Sequence, residues 1–306
     1  MWNRGIKMNQ SKKSVVTLLA VILWIAVLVF LTQIILLVSN RTAKKVDIEL
    51  NKIEENSVIF AIEKISSSQN LFKDITASGW AFVEFEGENP EKKLDLIFVS
   101  DEASYAFEMQ TFDRVDLVTA PILANFSVPK YRNGFEGTFS PLMMRNGDYK
   151  LFIYAEENNE LIGVVDTGKE YTKYFGSFVE RVGGEEIASV KNVPNTDLHV
   201  NSHFLCNIVN SKVLVEGWAF VENGNIRSIP SKPIIKLLRS DGDVIYYSTV
   251  SVSRVDVANQ FEDRKLLLSG FSAQIPIESL GKGENTFSVM YDGVSQSVFT
   301  CTTSLP

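Results

Sequence analysis

Apolar and polar positions divide the chain into an N-terminal apolar run and a long body of short alternating segments. Residues 14–38 include no charged side chain. This run is long enough to span a membrane, because about 20 apolar residues suffice to cross the hydrocarbon core of a bilayer. The run is also longer than the apolar stretch of a cleaved signal peptide, about 7 to 15 residues, and no small-residue cleavage pattern follows it. The pattern predicts one retained transmembrane helix over residues 14–38.

Basic residues flank the predicted span on both sides. Four precede it and three follow it, namely Arg4, Lys7, Lys12, Lys13, Arg41, Lys44 and Lys45. Because the more basic flank of a span usually stays in the cytoplasm, residues 1–13 are predicted to be cytoplasmic and the body extracytoplasmic. The sequence thus predicts a single-pass membrane protein with a signal-anchor.

The segment after the span has a helical pattern, since Val46, Leu50 and Ile53 recur at helical spacing among Lys and Glu residues. This pattern predicts a helical stalk over residues 39–57.

The rest of the body has the pattern of short strands. Apolar runs at residues 94–99 and 234–238 end in polar turn residues, and Asp241-Gly242 is a hairpin signal because glycine tolerates a positive φ. Strands at this spacing favour β-sandwiches of about 100 residues each, with small closed barrels as the alternative.

An internal repeat organises the body. The hexapeptide Gly-Trp-Ala-Phe-Val-Glu occurs at residues 79–84 and again at 217–222, and Arg-Val-Asp and Gly-Phe motifs follow both copies in the same order. Such self-similarity indicates a tandem duplication. The predicted fold class is mainly β: a transmembrane helix and then two tandem β-sandwich domains, repeat 1 at 58–180 and repeat 2 at 198–306, joined by a linker at 181–197 where Gly, Pro and polar residues cluster.

The order GW-x-F, R-x-D-V and GF resembles a sandwich repeat of bacterial surface proteins, which is also appended to glycosyltransferases and related envelope enzymes. The residues that carry the resemblance are Gly79, Trp80, Arg114, Asp116 and Phe135 in repeat 1, and Gly217, Trp218, Arg254, Asp256 and Phe271 in repeat 2. Repeat 1 departs from the pattern at Leu117, where repeat 2 has Val257. The resemblance implies an accessory or binding module and supplies no catalytic residues.

Charge is distributed unevenly along the chain. The formal net charge is −7, and residues 1–45 hold seven basic and no acidic side chains, so the remainder carries −7 − 7 = −14. A body this acidic repels phosphate backbones, which argues against nucleic-acid binding and favours neutral or cationic partners.

Two duplicated features are candidate sites. Trp80 and Trp218 are predicted to be structural, buried in the cores together with Gly79, Gly217, Phe135 and Phe271, although an indole face could also stack on a sugar. The pairs Arg114 with Asp116 and Arg254 with Asp256 place both side chains on one strand face. They are interpreted as structural clamps with the same geometry in both repeats, and ligand binding at these pairs is the alternative.

Histidines and cysteines are few. His199 and His203 lie near Asp197 and Cys206, but the segment runs into a strand-like pattern, so exposed linker histidines are predicted rather than a metal site. Cys206 and Cys301 lie near the first and last strands of repeat 2. A disulfide between adjacent strands, with Cα atoms about 4.4 to 6.8 Å apart, is predicted, and buried free thiols are the alternative.

No nucleophile elbow, P-loop, Rossmann fingerprint or HExxH motif occurs in the chain. The predicted function is a non-enzymatic, membrane-anchored, extracytoplasmic binding or scaffolding protein of the bacterial cell envelope, which acts without a cofactor on a surface polysaccharide or a partner protein. One alternative is an envelope hydrolase or transferase with paired carboxylates between the repeats. The other is a purely structural spacer.

Overall fold

The computed structural model describes residues 19, 21–31, 44–46, 58–68, 74–83, 92–124, 126, 132–157, 160–190, 198–292 and 295–305. It is mainly β. The chain divides into two compact units, the first over residues 1–42 and the second over residues 43–306.

In the N-terminal unit, residues 21–31 are helical. Within the part of the chain that the structure describes, no helix is long and apolar enough to cross a membrane. The predicted span at 14–38 extends outside the described residues at both ends, and residues 1–13 lie outside them entirely, so both remain predictions.

Repeat 1 is built from antiparallel strands in the sheet order β2-β3-β6-β5-β4-β7-β8-β9, with β1 paired to β5. Strand β5 pairs with β4 over its first half and with β6 over its last residues, so it carries the sheet from one layer of the sandwich to the other. The strands are β1 (Lys44–Val46), β2 (Val58–Ile65), β3 (Ile75–Val83), β4 (Lys93–Val99), β5 (Ser104–Phe112), β6 (Gly134–Phe139), β7 (Gly147–Glu157), β8 (Glu160–Tyr174) and β9 (Ser177–Glu180).

Repeat 2 has the same strand order, divided over two sheets: β10-β11-β16-β15 with β12 on β11, and β14-β13-β17-β18. Strands β14 and β15 together take the place of β5, because the strand is interrupted between them at Ser248 and Thr249. The strands are β10 (His199–Val209), β11 (Lys212–Asn223), β12 (Ile226–Ser228), β13 (Ile234–Leu238), β14 (Val244–Tyr247), β15 (Val250–Val252), β16 (Gly270–Pro276), β17 (Gly283–Tyr291) and β18 (Ser295–Leu305).

The duplicated motifs occupy the same register in both repeats. Gly79 pairs with Phe135 and Trp80 with Gly134, while Gly217 pairs with Phe271 and Trp218 with Gly270. The separate motifs of the sequence therefore form one cross-strand cluster in each repeat, between β3 and β6 and between β11 and β16.

Each repeat begins with a short leading segment that pairs with the strand that changes layers, and the sequence pattern did not predict it. Strand β1 pairs with β5, and residues 184–187 dock in the same way on β14: Ile187 N donates to Tyr246 O at 2.8 Å and Ser248 N to Glu185 O at 2.9 Å. Val58 follows Val46 by 12 residues, and His199 follows Ile187 by 12. The duplicated module thus includes a leading segment in both copies, which is a strand in repeat 1 and an isolated β-bridge, Glu186 with Tyr247, in repeat 2.

These leading segments correct two predictions. The helical stalk is wrong at residues 44–46, and its remaining residues lie outside the described part of the chain. The linker is wrong at 184–187, because these residues belong to the sheet edge of repeat 2, while 191–197 lie outside the described residues. The cause is physical: a strand that changes layers leaves an edge of unpaired backbone groups, and a nearby segment satisfies them.

The open edges of each sandwich are joined differently. In repeat 1, Ser68 and Phe178 exchange two backbone hydrogen bonds, N to O, of 2.9 and 2.7 Å. In repeat 2, Cys206 and Cys301 form a disulfide with a Cα–Cα distance of 6.2 Å. That distance lies within the predicted range. Strands β10 and β18 are neighbours in space but are the end strands of different sheets, so the bond joins the two layers.

Candidate functional site

The duplicated glycines are required by close approaches. A Cβ on Gly79 would lie 2.3 Å from the carbonyl oxygen of Ala61 and 2.7 Å from the ring of Phe135. A Cβ on Gly217 would lie 2.2 Å from the carbonyl oxygen of His203. These positions are structural, as predicted, because only glycine lets the neighbouring strand approach so closely.

The arginine and aspartate of each Arg-Val-Asp motif form the same two-pronged ion pair. Arg114 Nε donates to Asp116 Oδ1 at 3.0 Å and its Nη2 to Oδ2 at 3.0 Å, while Arg254 makes the matching bonds to Asp256 at 2.8 and 2.5 Å. Both guanidinium groups hold the pKa of the paired carboxyl below its ordinary value through these hydrogen bonds. The ion pair therefore has the same geometry in both repeats.

The clamp is not on a strand face, which corrects the argument from spacing. Each arginine precedes a short helix, Val115–Val118 or Val255–Gln260, and each aspartate lies in the first helical turn. The arginine stem then crosses the following strand: a Cβ on Gly134 would lie 2.7 Å from Arg114 Cγ, and one on Gly270 would lie 2.6 Å from Arg254 Cγ. The glycine of each Gly-Phe motif thus leaves room for the arginine.

The two tryptophans differ in burial. Trp80 is 5% exposed and belongs to the repeat 1 core, as predicted. Trp218 is half-buried on the face of β11 opposite Val215 and Ala219, outside the sandwich interior. Its ring stacks on Phe220 at a centroid distance of 5.5 Å and meets Phe261 edge-on. Trp218 therefore packs, partly buried, against a smaller core cluster of Phe220, Val257 and Leu266 and not between the two sheets.

The histidines lie on a strand and not in a linker. His199 and His203 belong to β10, opposite Glu222 and Trp218. The described residues contain no group of three or more His, Cys, Asp or Glu side chains arranged to hold a metal ion. Asp197 lies outside the described residues.

The helix and loop after β15 join the two repeats. Val255 and Leu267 of repeat 2 are buried in the core of repeat 1. The Ser253 hydroxyl donates to the carbonyl oxygen of Phe60 at 3.1 Å. Gly168 approaches Ser251 so closely that an added Cβ would lie 2.5 Å from the serine Cβ. Apolar packing and polar contacts therefore hold the repeats together.

A cleft of about 530 Å³ opens beside this seam. We call it the inter-repeat cleft. The lining residues from repeat 1 are Val58, Ile59, Phe126, Val165 and Asp166. Those from repeat 2 are Ile226, Arg227, Ser228, Ile229, Ser231, Lys232, Ser251, Ala258, Arg264, Lys265, Leu267 and Leu268. Its volume lies within the range of about 300 to 1,000 Å³ that is usual for small-molecule sites. It is the candidate functional site.

Basic side chains dominate the ionisable lining of the inter-repeat cleft. Arg227, Lys232, Arg264 and Lys265 line it, against a single carboxyl group, Asp166, among the described lining residues. Burial raises the pKa of Asp166, and its Oδ1 accepts a hydrogen bond from Gly168 N at 2.8 Å. None of these residues was singled out by the sequence analysis, because they come from segments far apart in the chain.

The predicted ligand residues lie elsewhere. Arg254 borders a second hollow of about 410 Å³, between His203 and Ser272 on the outer face of repeat 2, but its guanidinium is held by Asp256. Arg114 is held by Asp116 and also donates to Glu63 at 2.9 Å. The structure brings neither pair into the inter-repeat cleft.

The carboxyl groups of Asp95, Glu108 and Glu156 lie close together on the outer face of repeat 1. Burial, and then the charges of Glu108 and Glu156, raise the pKa of Asp95 to about 6, while Lys44 and Lys93 oppose the shift. Its Oδ1 is buried without a hydrogen-bond partner in the described structure. This face is not part of the inter-repeat cleft. These carboxyl groups therefore do not form the pair between the repeats that the hydrolase alternative requires.

Replacing Asp95 with asparagine is expected to stabilise the protein at pH 7 by about 1 to 2 kcal/mol, after allowance for partial exposure. The pKa of Asp95 is raised from 3.8 to about 6 on folding, so its unfavourable ionisation in the folded state sets in as pH rises from about 4 to 6. Urea unfolding should show the gain at pH 7 and little difference near pH 4. A variant that is less stable at pH 7 would contradict the assignment.

No protein-family model matches the chain, and no curated protein matches it significantly.

Proposed function

We propose that this protein is a membrane-anchored, extracytoplasmic binding protein of the bacterial cell envelope, and that it holds a surface polysaccharide or a partner protein in the inter-repeat cleft. The observation that carries the proposal is the cleft itself, which opens where two copies of one module meet. Its mixed lining of apolar, hydroxyl and basic side chains is typical of a site that orients a ligand. The resemblance of the repeat to accessory modules of envelope proteins supports the same role.

Binding is favoured over catalysis by the chemistry of the lining. A glycoside hydrolase generally needs two carboxyl groups at a set separation, and the described lining offers Asp166 alone. Glu170 is close by, but it is engaged with Lys232 at 2.5 Å. The spacer alternative accounts for the packed seam between the repeats and gives no reason for a cleft beside it.

Replacing Ser228 with tryptophan is expected to weaken binding to protein-free envelope polysaccharide by about tenfold, or 1.4 kcal/mol. Ser228 is exposed at the end of β12 and lines the cleft, so an indole there fills ligand space without entering a core. Co-sedimentation of the purified full-length chain with the polymer measures the effect.

Asn207→Trp is the matched control, because Asn207 is exposed on β10 and lies outside the lining of the cleft. Equal binding by both variants and the native chain would reject the cleft as the site. Failure of the native chain to bind polymer would favour the spacer.

The anchor is a separate part of the proposal and rests on the apolar run at residues 14–38. A reporter enzyme fused after Pro306 that functions only outside the cytoplasm is expected to be active. An active cytoplasmic reporter at that position would reverse the orientation, and cleavage near Ser39 would replace the anchor by a signal peptide.

A further inference from the structure

We infer that the hollow on the outer face of repeat 2 binds an acidic side chain of a partner polypeptide, with the carboxylate on the open edge of the Arg254 guanidinium. This hollow of about 410 Å³ shares no lining residue with the inter-repeat cleft, so it adds a second binding site to the proposed function. The inference rests on a difference between the two repeats at one step of the same motif.

The ion pair of repeat 2 leaves one edge of its arginine unused. Arg254 donates to Asp256 through Nε and Nη2, at 2.8 and 2.5 Å. Its Nη1 donates to no residue that the structure describes, and the side chain is partly exposed beside the hollow. Because Nη1 carries two of the five N–H donors of a guanidinium, two donors remain for another group.

Repeat 1 shows which group this edge takes. Arg114 makes the matching ion pair with Asp116 through Nε and Nη2. Its Nη1 also donates to Glu63 Oε1 at 2.9 Å. The arginine of this motif therefore binds a second carboxylate while the ion pair is in place, and that carboxylate belongs to a glutamate side chain.

A β-bulge brings Glu63 to the arginine. In the pairing of β2 with β3, Ile62 lies opposite Gly79 and Lys64 lies opposite Ser78, so Glu63 is an extra residue with no partner across the ladder. A bulge of this kind redirects a side chain. Here it turns the glutamate toward the guanidinium of the same repeat.

Repeat 2 has no bulge at the corresponding step. Phe204 lies opposite Gly217 and the next residue, Leu205, lies opposite Glu216, without a shift of register. These four residues line the hollow, together with His203, Val252, Arg254, Phe271 and Ser272. The hollow thus lies at the step where repeat 1 has its extra glutamate, and an external carboxylate can take that place.

The carboxyl group of Glu216 does not exclude another one. Glu216 lies opposite Ser272 in repeat 2, and Ser78 lies opposite Glu136 in repeat 1, so each repeat has one serine and one glutamate at this step. Repeat 1 has Glu63 in addition. A bound carboxylate would therefore give repeat 2 the same set of acidic groups that repeat 1 already contains.

The surroundings favour a polypeptide over an acidic polysaccharide. Leu205 and Val252 are exposed apolar side chains in the lining, and they can pack against the residues that flank an acidic side chain. The hydroxyl of Ser272 is hydrogen-bonded to no residue that the structure describes, so it can bond to a peptide backbone. A polyuronate carries a charge on every ring and is repelled by the acidic body, whereas a peptide with one acidic residue places its charge at Arg254 alone.

The experiment measures binding of three probes to the purified full-length chain by titration calorimetry. The first is an acetylated, amidated peptide with the sequence of residues 61–66, Ala-Ile-Glu-Lys-Ile-Ser, which presents the glutamate that Arg114 binds. The second peptide has glutamine in place of that glutamate, and the third probe is a galacturonic acid hexamer. We expect the glutamate peptide to bind at least about tenfold more tightly than the glutamine peptide.

Arg254→Lys should weaken binding of the glutamate peptide by at least about tenfold, because lysine keeps the charge but lacks the second donor edge. Arg114→Lys is the matched control. It disturbs the same ion pair in repeat 1, where Glu63 already occupies Nη1, so it should leave peptide binding unchanged. Equal losses for the two variants would overturn the inference, since the arginine would then act only through the fold.

Leu205→Glu tests the hollow without changing the ion pair, in case Arg254→Lys does not fold. Leu205 is exposed, so a glutamate there brings a carboxylate of the chain itself to the hollow and repels the peptide. Leu205→Gln, of similar size and without charge, is its control. Binding should fall at least about tenfold in Leu205→Glu alone, and equal binding by these two variants would reject the hollow as the site.

The probes themselves also decide. Equal affinity for the glutamate and glutamine peptides, or no binding of either, would overturn the inference. Binding of the galacturonic acid hexamer instead of the peptide, lost in Arg254→Lys, would assign the hollow to an acidic polysaccharide and overturn the polypeptide class. Because Ser228→Trp tests the inter-repeat cleft separately, either proposal can fail without the other.

Discussion

Alanine at position 217 is expected to lower the free energy of unfolding by about 3 kcal/mol, because an inserted methyl group cannot be accommodated. Its Cβ would lie 2.2 Å from the His203 carbonyl oxygen and 2.4 Å from Phe204 Cβ. Both atoms belong to residues of strand β10, so β10 must move away from β11 to make room for the methyl group. Denaturant unfolding of the full chain measures the loss. Gly79→Ala should behave alike, since its Cβ would lie 2.3 Å from Ala61 O.

Gly224→Asn is the control for the glycine substitutions. Gly224 has φ of 58° and no atom within 4 Å of an added Cβ. Asparagine is one of the side chains that tolerate this left-handed backbone best, so the loss should stay below about 1 kcal/mol. If Gly217→Ala were as stable as Gly224→Asn, the strands would be able to separate without cost, and the conclusion that glycine is required at this position would fail.

The duplicated motifs predicted much of the fold, and the structure supplies their physical reasons. Identical Gly-Trp and Gly-Phe pairs indicated a repeat, and they form a cross-strand cluster in the same register in both copies. What spacing could not reveal is that the arginine stem lies across the glycine of the Gly-Phe pair. That contact joins residues 20 positions apart, Arg114 and Gly134, through a turn and a loop.

The leading segments could not be predicted from the local sequence pattern. A strand of three residues is too short to show alternation, and Lys44–Val46 lies in a segment with helical spacing. The cause lies in the strands with which these segments pair. Strands β5 and β14 expose backbone groups where the chain passes from one layer to the other, and the preceding segments form hydrogen bonds with those groups. Long-range pairing of this kind overrides local propensity.

The inter-repeat cleft could not be predicted from composition either. Its lining residues come from segments that are far apart in the sequence, and the net charge of the whole body does not report the charges that line one cleft. The one available signal was Arg264-Lys265 within a short loop, next to the repeated motif. The ligand residues predicted instead, Arg254 and Asp256, form an ion pair outside the cleft.

Removing the Cys206–Cys301 bond is expected to be the most costly change, up to about 4.7 kcal/mol in the chain-entropy model of disulfide stabilisation. The two cysteines are 95 residues apart in sequence and their bond joins the end strands β10 and β18 across the two layers of repeat 2. A double Cys206→Ser, Cys301→Ser variant, compared with the native chain in denaturant unfolding, measures the loss, and reduction of the native chain should reproduce it.

Hydrogen exchange locates the effect. Amides of β10 and β18 should lose protection first, because no backbone pairing joins these two strands to each other in the described structure. The Ser68–Phe178 junction of repeat 1 needs no disulfide and should stay protected longer. Repeat 1 is nevertheless not an independent control, since Val255 and Leu267 of repeat 2 are buried in its core, so a late loss of protection around Trp80 is expected as well. Two free thiols by mass spectrometry in protein from its native compartment, or unchanged stability on reduction, would reject a stabilising bond.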